Sequence, residues 1–583
     1  MSYLNPLRLH FSGQFLAAPS TVNNDPTHYD NSTFKPEYQL RQQGQDANGW
    51  WNPSGDANWR FMGCQVTSAF RADGSPADAG DPVLTLIIAD SDTRVAGKMA
   101  DLDPEQQLVS ELWGVEVRIA AADGATLLRS RYEVAAFMDI WDRWPGVRGD
   151  GLAGSMYQSV LTDLQWAQGA DASPFLAELR AASAQSGMLS IKFNVDKYDM
   201  NYQSPTFTMG RIAGTIGPAA AGEPRHLVMG RQLMPYPAPC GNFFAPAGAI
   251  NACTAVVDEA RGKILLDLGN ALPISNTLPR RGKFQDLGTL TLACTVPGQP
   301  GTAPAVLPLG TIDYLADEWY AATAGVVEVP ADRALTRDEL SAVAENPLAL
   351  MVPGITGAPQ VAVAEHATGL FARADRYVFR LDAGQSDTAE VYATRFGKPL
   401  AGAEVQAFLD PSQLQGGPGD PPVGTPDDGV AFPASVRTDA AGRAELPLTG
   451  GDPRNARGYI DGQVYGVRPV LAELANDPTY PFSPWHFISV LVWDAFTAGD
   501  PPTWNGGLKD VFQQFANLYP VMARFLDLGD YASVSANRNL LLLAFGLDPQ
   551  NPNYMPATRD LSRARRGAIL RWLTDVGANG QPL

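Results

Sequence analysis

Residues 114–134 read GVEVRIAAADGATLLRSRYEV, two β-prone runs placed either side of Asp123-Gly124. Asp-Gly is a favoured hairpin turn because glycine takes positive φ without a steric penalty, so the stretch predicts two antiparallel strands. The same signal recurs in both directions along the chain. Upstream, VLTLIIAD (83–90) is another strand run, and near the start Leu7, Leu9 and Phe11 alternate with Arg8, His10 and Ser12. That period of two belongs to a half-buried strand whose polar face carries the histidine.

Downstream, Ser173-Pro174 has the order of a helix start, an N-cap followed by a residue whose fixed φ suits the first turn. Phe175, Leu176 and Leu179 then share a face, and Gly187 supplies a left-handed stop. Immediately afterwards MLSIKFNV (188–195) returns to period two, with Leu189, Ile191, Phe193 and Val195 on one side. Further strand runs, separated by Gly and Pro, fill 205–330.

The predicted fold class is mainly β with α additions. Residues 1–360 form a large β-rich N-terminal unit, read as one body or as two intimately packed ones. Residues 370–450 carry YVFRLDAG, AEVYATRFGKPLAGAEVQAFLD and SVRTDAAGRAELPLTG, which predict an immunoglobulin-like β-sandwich, with 411–430 as a long Gly, Pro and Asp loop. Residues 451–583 are expected to be a mostly helical C-terminal segment, broken or kinked at Pro520, with Ser562 capping a last helix. Arg563, Arg565, Arg566 and Arg571 decorate that helix; they read as a solvated or salt-bridged face, or as a docking surface for an acidic partner.

Composition narrows the function classes. With 583 residues, 45% hydrophobic and 18% charged, the chain is long and apolar enough for several cores. A net charge of −19 repels phosphate backbones and anionic lipid, which excludes nucleic acid as an expected partner. No apolar run has the length of a membrane span and no leader pattern opens the sequence, so a cytoplasmic location is expected. Four cysteines, Cys64, Cys240, Cys253 and Cys294, are too dispersed for a disulfide framework and read as buried thiols.

Chemical motifs are sparse. Gly149-Asp150-Gly151-Leu152-Ala153-Gly154 matches GxGxxG without βαβ surroundings. Asp90, Asp92, Asp101, Asp103 and Glu105 form an irregular acidic group, read as solvated carboxylates rather than a Ca²⁺ loop. The densest polar cluster is Asn23 to Asp30, close in sequence to His10. Asx turns explain it, or else a cofactor contact through His10 and His28 with Asp25 and Asp30 as metal ligands.

Five strings occur in order: LRLHFSGQF with APSTVNNDP, DLDPEQQLVSELWGVEVRI, SPTFTMGRIAGTIG, LDLGNALPISN and PNYMPATRDLSRARRGAILRWL. Together they resemble the N-terminal half of the VioB/RebD/StaD family, the iminophenylpyruvate dimer synthase and chromopyrrolate synthase-like proteins. The resemblance implies an oxidative coupling of two amino-acid-derived imines in pigment biosynthesis. It also implies that the tail at 504–575 leads, in the family, into a ferritin-like domain with Glu and His iron ligands. The expectation is that this chain lacks that domain. Haem is the other cofactor the family implies, and His10 is the histidine inside a matching string.

Three functions follow as expectations. The first is a non-catalytic or co-catalytic subunit of an oxidative natural-product biosynthesis system, with haem or iron held by a separate ferritin-like partner. The second is a self-contained haem or iron oxidoreductase acting on amino-acid-derived imines. The third is a structural or assembly protein, a homo-oligomer.

Overall fold

A sheet that begins with an alternating aromatic strand and returns to it has no free edge, and the N-terminal strands do this. The computed structural model describes residues 2–18, 58–104, 109–144, 150–201, 203–236, 250–296, 305–354, 357–414, 423–457, 460–480, 483, 486–578 and 580–583. The first twelve strands are β1 (Arg8–Ala17), β2 (Trp59–Phe70), β3 (Ile87–Ala89), β4 (Lys98–Asp101), β5 (Ser110–Trp113), β6 (Glu116–Ala120), β7 (Thr126–Tyr132), β8 (Ala135–Ala136), β9 (Met138–Asp142), β10 (Ala153–Trp166), β11 (Leu189–Asp196) and β12 (Met209–Pro218). Eight of these run antiparallel in the circuit β1-β2-β3-β6-β7-β10-β11-β12, and β12 pairs back on β1. The circuit is a closed barrel.

Eight strands leave an interior that side chains can fill. Phe11, Phe61, Tyr132, Tyr157 and Phe193 come from five strands and meet there, with Trp59 against Phe61 at 4.8 Å and Tyr157 against Phe193 at 5.3 Å between ring centres. Phe11 and Phe15 each lie opposite a glycine of β12, Gly214 and Gly210. A Cβ at either glycine would run into the facing ring.

Most local expectations hold in this part, but VLTLIIAD is strand only over Ile87–Ala89, because Pro82 opens a 3₁₀ turn over Pro82–Thr85 that Asp81 caps. The strands β6 and β7 form the hairpin around Gly124, whose φ is 91°. Helix α1 (Pro174–Ser183) starts as read: the Ser173 hydroxyl accepts from the Leu176 amide at 3.1 Å. Buried Asp81 adds a second clamp, accepting from the Ser173 hydroxyl at 2.6 Å and the Phe175 amide at 3.0 Å. On β11 the polar residues are buried as well, Lys192 and Asn194 being 2% and 1% exposed. The outer face of the barrel there is covered by the next sheet.

That second sheet contains β13 (Arg231–Pro235), β14 (Cys253–Asp258), β15 (Lys263–Asp267), β16 (Leu290–Val296), β17 (Ala305–Ile312), β18 (Val326–Val329), β19 (Leu348–Pro353) and β20 (Pro359–Ala364). The strand order is β17-β16-β19-β20-β13-β14-β15-β18. Its two end strands curl toward each other until Gly310 of β17 lies against Val329 and Pro330, which makes a half-barrel. Helices α2 (Trp319–Thr323) and α3 (Arg337–Glu345) belong to this unit.

Barrel and half-barrel meet through charge. Asp196 on β11 takes Arg143 and Arg211, and Lys192 reaches Asp267 of β15 at 2.8 Å, with Tyr3 donating to the same carboxylate at 2.7 Å. Arg143 also donates to the Leu272 and Gly269 carbonyls at 2.9 and 2.8 Å. Buried ions need this degree of pairing because each costs several kcal/mol to desolvate.

Two five-stranded sheets then pack face to face over a shared apolar core. Their strands are β21 (Leu370–Ala374), β22 (Val378–Leu381), β23 (Ser386–Arg395), β24 (Lys398–Pro399), β25 (Glu404–Leu409), β26 (Val430–Ala431), β27 (Ser435–Arg437), β28 (Arg443–Gly450), β29 (Gln463–Leu471) and β30 (Ile488–Val492). The last two come from the stretch expected to be mostly helical. All nine residues of β29 and all five of β30 are buried, so apolar sequence there completes a sheet rather than starting a bundle.

Helices take over at α4 (Leu508–Leu518), followed by α5 (Tyr531–Ala536), α6 (Arg538–Gly546) and α7 (Arg563–Thr574). They gather on Trp504, Phe512, Trp572 and Leu573. Pro520 ends α4 two residues early rather than bending it, and opens a short 3₁₀ turn. Ser562 caps α7 by accepting from the Arg565 amide at 3.2 Å. Among the described residues, no helix is long and apolar enough to cross a membrane.

Candidate functional site

Because β1 alternates, His10 points away from the aromatic barrel interior. It is fully buried and edge-on to Phe70 at 5.8 Å. Its Nε2 accepts from the Arg8 guanidinium at 3.2 Å, so the ring proton sits on Nδ1 and donates to Thr215 Oγ1 at 2.8 Å. Burial, and then the Arg8 charge, hold its pKa well below the ordinary value, so the ring is neutral. Both nitrogens are engaged, and a metal or haem iron on His10 requires that one of these bonds be broken. The companion candidates His28, Asp25 and Asp30 lie outside the described residues.

The acidic group is solvated only in part: Asp92 is exposed, Asp90 and Asp101 are half-buried, Asp103 is buried, and Glu105 lies outside the described residues. Asp90 pairs with Arg60 at 3.0 Å, and Asp92 bridges Arg118 and Arg129 at 2.9 and 2.6 Å. Asp103 is 1% exposed and paired with equally buried Arg457 of the sandwich. The described part of the GxGxxG string runs through a 3₁₀ turn into β10, a strand, where a dinucleotide needs a helix N-terminus. Cys64, Cys253 and Cys294 are buried free thiols, and burial pushes Cys64 up to about 12. No group of three or more His, Cys, Asp or Glu among the described residues is arranged to hold a metal ion.

The site that the tertiary structure does assemble is a cleft of about 560 Å³ where barrel, sandwich and helical segment meet. The small sheet β4-β5-β8 contributes Glu111 and Trp113, the sandwich strand β22 contributes Arg380, and the loop into α7 contributes Tyr554 and Arg559. Arg131, Arg225, Arg376, Arg563 and Arg566 complete seven arginines, against the three carboxylates Glu111, Glu133 and Asp387. Each carboxylate is paired with one of them: Glu111 with Arg380, Glu133 with Arg225 and Asp387 with Arg376. A formal excess of four positive charges remains in a chain whose net charge is −19.

Aromatic faces carry much of this charge. Trp113 lies under Arg380 and Arg559, each 5.4 Å from its ring, and Tyr554 lies under Arg559 and Arg566 at 5.7 and 5.3 Å. Each contact stabilises a cation by about 0.5–2 kcal/mol, more as water is excluded. Arg559 adopts the left-handed backbone, φ 56°, and is held there by carbonyls, its Nε on Pro549 at 3.1 Å and Nη2 on Asn551 at 3.0 Å. Burial, then the neighbouring Arg380 charge, lowers its pKa to about 10, so it remains a fixed cation at neutral pH. Arg566 closes the C-terminus of α6 by donating to the Phe545 and Leu547 carbonyls at 2.6 and 2.9 Å.

Sequence reasoning saw one edge of this site, the arginine run at 563–571. Of that run, Arg563 and Arg566 line the cleft, Arg565 pairs with buried Asp461, and Arg571 pairs with Asp500 and Asp575. The other wall, Glu111 and Trp113, lies about 450 residues earlier, inside the string DLDPEQQLVSELWGVEVRI, and no periodicity or charge run ties it to the arginines.

No protein-family model matches this chain, and no curated protein matches it. Solved structures that overlap it include the polymeric immunoglobulin receptor ectodomain of a teleost fish, at 11% identity over 40% of this chain and 92% of that one, with a TM-score of 0.15. The D0-D1 domain of intimin overlaps at 13% identity over 41% and 95% of the two chains, TM-score 0.16. The S-layer protein SbsC overlaps at 9% identity over 75% and 53%, TM-score 0.15. Overlaps this slight assign neither a fold family nor an activity.

Proposed function

We propose that this chain acts by binding, as a non-catalytic or co-catalytic subunit of an oxidative natural-product biosynthesis system that pairs with a separate ferritin-like iron oxidase. The observation that carries the reading is where the family-like strings converge. DLDPEQQLVSELWGVEVRI supplies Glu111 and Trp113, PNYMPATRDLSRARRGAILRWL supplies Tyr554, Arg559, Arg563 and Arg566, and both line the one cleft. Fixed cations on aromatic faces recognise a ligand or partner; they do not by themselves move protons or electrons. On this reading the redox metal belongs to the partner and the location is the cytoplasm.

The sandwich fits the same role, and we assign it to the immunoglobulin-like class. Its sheets β21-β23-β28-β26 and β22-β30-β29-β25-β27 follow an A-B-E-D and A′-G-F-C pattern, including the parallel pairing of β22 with the last strand β30. Modules of this kind hold and present neighbours, and here Arg380 of β22 reaches Glu111 across the cleft.

Co-expression with a ferritin-like protein encoded beside it, followed by size-exclusion chromatography, tests the reading. A shared peak, with iron in the partner, is expected. Separate peaks, together with stoichiometric iron or a Soret band in this chain alone, would overturn it in favour of a self-contained oxidoreductase.

A further inference from the structure

We propose that the arginine cleft is a binding site for a small organic polyanion carrying two or more negative charges, of the phosphate-ester or polycarboxylate kind. The inference rests on the reading that this chain acts by binding, and it requires no partner.

Charge accounting inside the cleft gives the class. Its three carboxylates neutralise Arg225, Arg376 and Arg380, which leaves Arg131, Arg559, Arg563 and Arg566. Arg131 turns to Asp163 at the surface, 3.5 Å away. Arg559, Arg563 and Arg566 pair with no carboxylate among the described residues. Arg559 spends its donors on backbone carbonyls and so contributes charge alone. Arg566 keeps Nη1 uncommitted, and exposed Arg563 bonds only through its backbone amide, to Asp382. A guanidinium with a free fork is shaped for two oxygens of a carboxylate or phosphoryl group. Two further donors in the wall, Trp113 Nε1 and Arg380 Nε, are buried without an acceptor. Orphaned donors beside surplus cations mark a place organised around negative charge.

Size and long-range field decide against a polymer. A cleft of about 560 Å³ matches small-molecule sites rather than a groove for an extended chain. The overall charge of −19 repels polyanionic polymers at a distance, whereas a compact anion within about 8 Å of the arginines is governed by the local excess. Trp113 and Tyr554 are already capped by guanidinium groups, so recognition is of charge more than of an aromatic ring.

Isothermal titration of the purified chain with inorganic pyrophosphate, citrate and acetate tests the proposal. Pyrophosphate or citrate should bind saturably with Kd below about 1 mM, and acetate at least tenfold more weakly. The tighter of the two polyanions names the source, phosphoryl or polycarboxylate. Arg563→Glu should weaken that binding about tenfold or more, since it reverses an exposed charge with no side-chain bond to lose. Arg337→Glu makes the same change at the start of α3, none of whose residues lines the cleft, and should leave binding within about twofold. Absence of saturable binding by both polyanions, acetate binding as tightly as either, or equal losses in the two variants would each overturn the site. Because no partner is present in this assay, its failure leaves the co-expression result untouched.

Discussion

Asp196→Asn removes the one carboxylate shared by Arg143 and Arg211 and leaves the rest of the barrel to half-barrel seam in place. Asp196 and Arg143 have side chains 1% and 0% exposed, joined at 2.6 Å, and Arg211 donates to the second carboxylate oxygen at 2.7 Å. Breaking a buried pair by removing one partner costs about 3–5 kcal/mol, because a charge then stays buried without compensation. Arg143 keeps its carbonyl bonds to Leu272 and Gly269, which places the loss near the lower end, about 3 kcal/mol. For a unit of roughly 200 residues this is a fall of about 6–12 °C in Tm.

The pH dependence separates this cause from simple misfit. Burial alone raises the Asp196 pKa; Arg211, then Arg143, outweigh it and bring the group from 3.8 to about 2. With the folded value below the unfolded one, the contribution is complete above pH ~4 and disappears as the pH falls toward 2, about 2 kcal/mol in all. Calorimetry of wild type and variant from pH 7 to pH 2 reads both effects. The stability gap should be full at pH 7 and narrow below pH 4, as the wild type gives up what the variant never had. A variant within 1 kcal/mol of wild type at pH 7, or a gap unchanged down to pH 2, would refute the argument.

Gly214→Ala should destabilise the barrel by about 1–3 kcal/mol in urea unfolding, since the new methyl enters the space of the Phe11 ring; a neutral effect would mean that the aromatic interior is loosely filled. Ser173→Ala should cost about 1–2 kcal/mol by the same assay, more than an isolated N-cap, because the Asp81 clamp loses its hydroxyl partner as well. His10 should stay neutral throughout pH 5–8, its pKa being held down by burial and Arg8, so its imidazole resonances should not move across that range. A titration midpoint near 6.5 would show that the Arg8 and Thr215 bonds are not kept in solution.

The sequence by itself determined what depends on residues a few positions apart. Asp123-Gly124 set a hairpin, Ser173-Pro174 started α1, Ser562 started α7, and period two gave β1 its aromatic inner face, because turns, caps and alternation are settled within about four residues. Tertiary structure alone decided the pairing partners and the burial of polar side chains. Nothing local tells β10 to close the barrel on β11, and alternation along β11 does not disclose that Asp267 and the half-barrel cover Lys192 and Asn194. The strands β29 and β30 joined the sandwich because an apolar run satisfies its backbone on whichever sheet edge is available. The cleft follows the same rule: Glu111, Arg380 and Arg559 carry no motif in sequence, and charges become a site only when folding sets them around one ring, here Trp113, out of reach of most of the chain's acids.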